Sequence, residues 1–88
     1  MKVKIEEEIE IKGQLGLHAR PAAKLAKALN GLKAQVLIGR GEKLVDARSI
    51  LDVLTLAASA GTRLRIVAEG EEAEKALNEI KRVLEAYA

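Results

Sequence analysis

The sequence predicts an α+β fold, a two-layer open-faced sandwich in which helices cover one face of a four-stranded antiparallel sheet. Four short stretches have the alternation or apolar content of strands, and two longer stretches repeat apolar residues at helical spacing. A further helical stretch is short and almost uniformly apolar. In chain order these elements read β-α-β-β-α-β-α, and residues 1–88 are expected to form a single domain.

The first strand is expected over residues 3–12, where apolar and charged side chains alternate. Glu7 interrupts the apolar face of this strand, which indicates either a bulge or a position at the rim of the sheet. A loop over residues 13–16 follows. The first helix is expected over residues 19–29, and Asn30-Gly31 supplies its stop signal.

Two short strands, residues 34–38 and 43–46, flank a glycine turn and predict a hairpin. Ser49 is the expected N-cap of a second helix that runs from residue 50 to about Ala58, and Asp52 stands where a capping-box acid would lie. This helix is apolar on nearly every side, so it is either deeply buried or exposes part of its surface to a partner.

The last strand is expected over residues 63–69 and the last helix over residues 71–87, whose apolar stripe keeps helical spacing throughout. Both long helices should cover one face of the sheet, and the opposite face should be exposed to solvent. Because Tyr87 is the only aromatic residue, the core is expected to consist of aliphatic side chains.

Composition excludes several classes of protein. Fifteen basic and thirteen acidic residues are interleaved, which argues against a nucleic-acid-binding or membrane-binding tail. No apolar run approaches the length of a membrane span, and acidic residues near the start argue against a signal peptide, so a cytoplasmic protein is expected. The sequence has no cysteine and no cluster of histidine or inward-facing acidic residues, so we expect no metal site and no cofactor. High Lys, Glu and Arg content with few Asn and Gln indicates a thermophilic source.

The single histidine, His18, is the strongest candidate for chemistry, although a lone histidine is by default a surface or structural residue. Pro21 is favoured in the first turn of a helix, so His18 should lie at or just before a helix N-terminus. The free amides of Ala19 and Arg20 would then form an anion site beside a neutral, nucleophilic ring. Arg20 adds a planar fork of donors that suits phosphate oxygens. These residues predict an anion-binding histidine site that can accept a phosphoryl group, but they do not define the reaction.

Residues 16–22, Gly-Leu-His-Ala-Arg-Pro-Ala, resemble the active-site signature of the HPr family, the histidine phosphocarriers of the bacterial phosphoenolpyruvate-dependent sugar phosphotransferase system. Residues 49–51, Ser-Ile-Leu, together with Thr55-Leu56, are similar to the family's second segment, around its regulatory serine. The length, the element order and Ala-Glu-Gly at residues 68–70 also fit, so the resemblance covers the whole chain.

The resemblance implies a phosphoryl carrier rather than an enzyme. His18 would be phosphorylated on its δ nitrogen by enzyme I and would pass the group to the IIA domains of sugar transporters, while Arg20 contacts the phosphoryl group. Ser49 would be the target of a serine kinase and phosphorylase, with Arg48 adjacent to a phosphate there. The carrier is expected to be a monomer.

A docking surface is implied as well. Ile50, Leu51 and Leu54 would form an apolar patch shared by successive partners. On the first helix, Ala22, Lys24 and Lys27 are assigned to the same partner surface, and the lysines would meet acidic side chains. A solvated helix face is the alternative interpretation of the two lysines.

The sequence departs from the family pattern at two positions. Leu15 stands where many members carry Asn, Ser or Thr, which removes any help from that side chain to the phosphohistidine. Ala57 replaces a common Gly, so the short helix is expected to extend further.

Two alternative functions stay open on the sequence. The first is a paralogue of the same fold that serves a nitrogen-related or regulatory phosphorelay. The second is an RNA-binding module that uses the turn at residues 39–43 with Arg63 and Arg65, although missing aromatic residues and balanced charge argue against it.

Overall fold

The computed structural model describes residues 3–88, which form four strands and three helices in the predicted order. The elements are β1 (Val3–Glu10), α1 (Ala19–Leu29), β2 (Gln35–Arg40), β3 (Lys43–Asp46), α2 (Ile50–Leu54), β4 (Arg63–Gly70) and α3 (Ala73–Tyr87). The bounds of α1 and β3 agree with the sequence prediction, whereas α2 ends four residues earlier than expected.

The sheet is antiparallel throughout, with the strand order β1-β4-β2-β3. The central strand β4 pairs with β1 on one side, where Val3 lies opposite Gly70, and with β2 on the other. Helices α1 and α3 pack against each other, and α3 contacts β1, β2 and β4. The predicted two-layer sandwich is confirmed.

The core between the two layers is aliphatic, as predicted. Its largest fully buried side chains come from both long helices and from the sheet: Leu25, Leu29, Val36, Ile38, Leu64, Ile66, Ile80 and Val83. Burial of each such side chain contributes roughly 1.5–3 kcal/mol to folding.

Glu7 occupies a rim position and not a bulge. The register of β1 with β4 is continuous, and Glu7 lies opposite Ile66. Its carboxylate makes an ion pair with the Lys81 ammonium of α3 at 2.5 Å. The bulge alternative is therefore wrong, and the acid on the apolar face is satisfied by a cation from the helix layer.

The uncovered face of the sheet carries two ion pairs between β1 and β4. Arg65 contacts Glu6 at 2.5 Å and Arg63 contacts Glu8 at 3.8 Å. The hydrogen bond from Arg65 holds the pKa of the Glu6 carboxyl below its usual value, although such exposed pairs add little to stability. Both arginines required by the RNA-binding alternative are thus paired with carboxylates.

The N-terminus of α2 is capped as predicted. Ser49 Oγ accepts the backbone N–H of Asp52 at 3.3 Å. The backbone N–H of Ser49 donates to the Asp46 carbonyl at 3.0 Å. In a capping box the Ser49 N–H would donate to the Asp52 carboxylate, but here it donates to the Asp46 carbonyl and closes a turn.

The C-terminus of α2 differs from the prediction. Ala57 has a φ of 50°, in the left-handed region that favours glycine, so the expected extension of the helix to about Ala58 is wrong. Ala57 is the one non-glycine residue between 3 and 88 with a positive φ.

Because an L-residue in the left-handed region is strained, Ala57→Gly is expected to raise the free energy of unfolding by about 0.5–1 kcal/mol. Urea denaturation followed by circular dichroism would measure this. Ala60→Gly is the matched control, since Ala60 is exposed and its φ is not positive. We expect the control to be slightly destabilised, and an equal loss in both variants would contradict the strain at Ala57.

Within residues 3–88, no helix combines the length and the apolar character that crossing a membrane requires. The same part of the chain contains no group of three or more His, Cys, Asp or Glu residues that could hold a metal ion.

Candidate functional site

His18 is the N-cap of α1. Its backbone is extended, with φ −106° and ψ −169°, and helical geometry begins at Ala19. The ring is half-buried, and its Nδ1 atom accepts the backbone N–H of Arg20 at 3.4 Å. An Nδ1 atom that accepts this hydrogen bond presents its lone pair to the first turn of α1. The predicted position at the helix start is confirmed, and the δ nitrogen faces the first turn.

The first turn of α1 leaves two backbone donors beside this ring. Ala19 and Arg20 precede every possible intrahelical acceptor, and Pro21 has no N–H. The intrahelical ladder starts when the Ala22 N–H donates to the His18 carbonyl at 3.2 Å. The helix dipole adds positive potential at the same point, so the arrangement favours an anion next to Nδ1.

The charges of α1 add to this potential. The helix contains Arg20, Lys24 and Lys27 and no acidic residue. Spacings of four and three residues place these cations on one side of the helix. Within residues 3–88 no hydrogen bond or ion pair occupies the Arg20 guanidinium, and the residue is exposed. Arg20 is available to an oxyanion held at His18.

The loop before His18 rests on the segment that follows α2. The Leu17 N–H donates to the Ala58 carbonyl at 2.8 Å. Gly16 has a φ of 66°, and a Cβ atom at this position would overlap the Ala58 carbonyl. Sequence reasoning placed the loop correctly but missed this support, for which the glycine at position 16 was the available signal.

The three residues of the predicted apolar patch on α2 differ in their exposure. The side chain of Leu51 is 76% exposed and that of Ile50 is 39% exposed, whereas Leu54 is half-buried against the core. Val53 is fully buried and anchors α2, which also contacts α1. Part of α2 is therefore exposed to solvent, which rules out the interpretation that the whole helix is deeply buried.

The partner-contact prediction for Ala22 is wrong, because its side chain is fully buried in the core. Lys24 Nζ lies 5.2 Å from the centroid of the Tyr87 ring, within the range of a cation–π contact. Lys24 and Lys27 line a groove of about 370 Å³ between α1 and α3, to which Arg82 also contributes. The two lysines thus lie on the α3 side of α1, and no residue of the α2 patch lines that groove.

The Arg48 side chain does not lie where a phosphate on Ser49 could use it, although the two residues are adjacent in the sequence. Its guanidinium donates to three backbone carbonyls at 2.9–3.0 Å, those of Leu29, Leu32 and Ala34. These bonds hold the end of α1 and the loop after it. The guanidinium is therefore occupied and is not available to a phosphate on Ser49.

Comparison with known proteins places these features in a family. The family pattern named PTS-HPr, described as the PTS HPr component phosphorylation site, matches residues 5–86. The phosphocarrier protein HPr of Pseudomonas aeruginosa is 47% identical over 72 residues, which cover 81% of this chain and 80% of that protein. A multiphosphoryl transfer protein of Haemophilus influenzae is 41% identical over 85 residues, but the chain spans only 17% of its length.

The fold is shared as well. The crystal structure of HPr-C-His from Thermoanaerobacter tengcongensis matches with a TM-score of 0.85 and 34% identity, covering 93% of this chain and 92% of that chain. The family match runs from β1 to α3 and includes His18 and Arg20. The chain therefore belongs to the HPr family, the phosphocarrier proteins of the phosphotransferase system.

Proposed function

We propose that His18 is the phosphoryl acceptor of this carrier, that enzyme I is its donor, and that IIA domains are its acceptors. The observation that supports this most is the hydrogen bond from the Arg20 N–H to His18 Nδ1 at the start of α1. The bond brings Nδ1 to the first turn of α1, where the Ala19 and Arg20 N–H groups lie and where the exposed Arg20 side chain begins. In this proposal residues 1–88 act as one domain.

The transfer needs no proton at Nδ1. The Nδ1 lone pair attacks the phosphorus atom, the bond between phosphorus and the donor breaks, and its electron pair stays with the donor. Because Nδ1 then no longer accepts a hydrogen bond, the Arg20 N–H is released to donate to a phosphoryl oxygen. The Ala19 N–H and the Arg20 guanidinium supply further donors, and such positioning and charge neutralisation are most of what phosphoryl transfer requires.

Docking would use two surfaces, one formed by exposed residues of α2 and one by lysines of α1. Ile50 and Leu51 present exposed apolar side chains that a partner can bury. Lys24 and Lys27 present positive charge beside α3, which suits acidic partner side chains and accelerates encounter. Leu54 would contribute only the exposed part of its side chain.

The test of the proposed function is incubation of the chain with enzyme I and labelled phosphoenolpyruvate, followed by mass spectrometry. We expect one acid-labile phosphoryl group per chain. Curated relatives include both an HPr and an NPr, so the nitrogen-branch counterpart of enzyme I is the matched comparison. Faster labelling by the sugar-branch enzyme supports the proposal, whereas no label from either enzyme contradicts it.

Ser49 is proposed as a regulatory phosphorylation site in addition to its role as N-cap. Ser49→Asp would place negative charge beside Ile50 and Leu51 while keeping a capping oxygen at the helix start. We expect several-fold slower phosphorylation of His18 by enzyme I, because the charge opposes docking to an acidic partner. The melting temperature should change little.

Ser49→Asn is the control, since asparagine caps a helix equally well without charge. It should be phosphorylated at the wild-type rate. Unchanged kinetics in Ser49→Asp, or equal slowing in both variants, would leave Ser49 as a cap alone.

The remaining expectations concern the protein in its cell. We propose a cytoplasmic monomer from a thermophile, with a thermal midpoint above the roughly 45–65 °C of mesophilic domains. Calorimetry tests the midpoint, and light scattering tests the oligomeric state. The second test is needed because one similar solved structure is that of an HPr dimer from Thermoanaerobacter tengcongensis.

A further inference from the structure

Two cations of the β2–β3 hairpin contact the segment that follows α2. Arg40 Nη1 donates to the carbonyls of Leu56 and Ala57 at 3.1 and 3.4 Å. Lys43, which lies opposite Arg40 in the hairpin, reaches the Thr55 carbonyl at 3.4 Å. Three successive carbonyls at the end of a five-residue helix thus receive donors from a distant turn.

The same segment supports the residue before His18. Ala58 directly follows the carbonyls that Arg40 holds, and its own carbonyl accepts the Leu17 N–H at 2.8 Å. Gly16 packs so closely on Ala58 that no side chain would fit there. A continuous set of contacts therefore runs from Arg40 through residues 56–58 to the loop that carries His18.

The strain at Ala57 lies on this route. A φ of 50° at a residue with a Cβ atom persists only where neighbouring contacts hold it. The hydrogen bond from Arg40 to the Ala57 carbonyl is one such contact. Loss of Arg40 would allow residues 56–58 to relax, and the Ala58 carbonyl would move away from Leu17.

We propose that Arg40 is a positioning residue for phosphoryl transfer at His18. It acts through residues 56–58, which fix the loop before His18, and not through contact with the phosphoryl group. Transfer between two protein groups depends on the alignment of the reacting atoms, so a small displacement of the loop slows it. This inference rests on the proposed function of His18.

The test compares wild type, Arg40→Ala and Arg40→Lys. Hydrogen exchange of the Leu17 amide, measured by NMR on the unphosphorylated chain, reports the loop. In Arg40→Ala we expect roughly five- to tenfold faster exchange, the effect of losing one to two hydrogen bonds. The maximal rate of His18 phosphorylation by enzyme I should fall by a similar factor, with a smaller change in KM. Arg40→Lys should restore part of both losses.

Arg65→Ala is the matched control for charge, because it removes one exposed arginine from the open face of the sheet. It should change neither readout. A second comparison places Arg40→Ala in an Ala57→Gly background. Glycine adopts the positive φ without strain, so Arg40→Ala should have a smaller effect there than in the wild-type background.

If hydrogen exchange of the Leu17 amide is unchanged in Arg40→Ala, the positioning role is overturned. It is also overturned if Arg65→Ala lowers the rate of His18 phosphorylation as much as Arg40→Ala does. Equal effects of Arg40→Ala in both backgrounds at residue 57 overturn the link through Ala57. If the wild-type chain takes no label on His18, the phosphocarrier proposal itself fails. That failure is distinct, because wild-type labelling and Leu17 exchange are measured separately.

Discussion

His18→Ala is expected to abolish the acid-labile label that enzyme I and phosphoenolpyruvate place on the chain. The sequence contains one histidine, so no second imidazole can take over the reaction. The variant also loses the acceptor of the Arg20 N–H, which should lower the free energy of unfolding by about 0.5–1 kcal/mol. Mass spectrometry measures the label, and circular dichroism measures the fold.

His18→Asn separates the two effects. Its amide oxygen can accept the Arg20 N–H as His18 Nδ1 does, so this variant should melt close to wild type. It should nevertheless take no label. Acid-labile phosphate in either variant would show that another group accepts the phosphoryl group.

Arg20→Lys is expected to slow phosphoryl transfer roughly ten- to a hundredfold, less than the roughly hundred- to thousandfold found when a donor to developing charge is removed outright. Lysine keeps the positive charge but loses the planar fork that binds two oxygens at once. Because Arg20 is exposed, stability should be unchanged. Rapid-quench measurement of His18 labelling gives the rate.

Arg65→Lys is the control, since it makes the same substitution on the open face of the sheet, away from His18 and from both docking surfaces. It should label at the wild-type rate. Equal rates for wild type and Arg20→Lys would show that a point charge at this position is sufficient.

The elements that sequence reasoning located best are those whose structure depends on nearby residues. Helix α1 has a proline in its first turn and an Asn-Gly stop signal, and both of its ends agree with the prediction. The predicted end of α2 was wrong because the chain leaves helical geometry before Ala57, which has a positive φ. Arg40, 17 residues away in the sequence, donates a hydrogen bond to the Ala57 carbonyl. No local propensity reports a contact of that kind.

The same distinction applies to the site. His18 and Arg20 could be located from the sequence because a helix N-terminus, its free amides and its cap lie within a few residues. Ala22 shares its helical spacing with Leu25 and Leu29, which are also fully buried, and this apolar stripe was the available signal that Ala22 lies in the core. Arg48 was expected near Ser49, but its side chain binds carbonyls 14–19 residues away.

The strand order also has a consequence for how this chain folds. Strand β1 pairs only with β4, and Val3 lies opposite Gly70. The hydrogen bonds of β1 therefore cannot form until the chain has been synthesised as far as β4. Such long-range closure is slow compared with helix formation, and during synthesis the first strand emerges from the ribosome well before its partner. During this time β1 is unpaired, and its charged side chains oppose pairing with strands of other nascent chains. The acids that later join Arg63, Arg65 and Lys81 therefore also act as gatekeepers against aggregation while the polypeptide is incomplete.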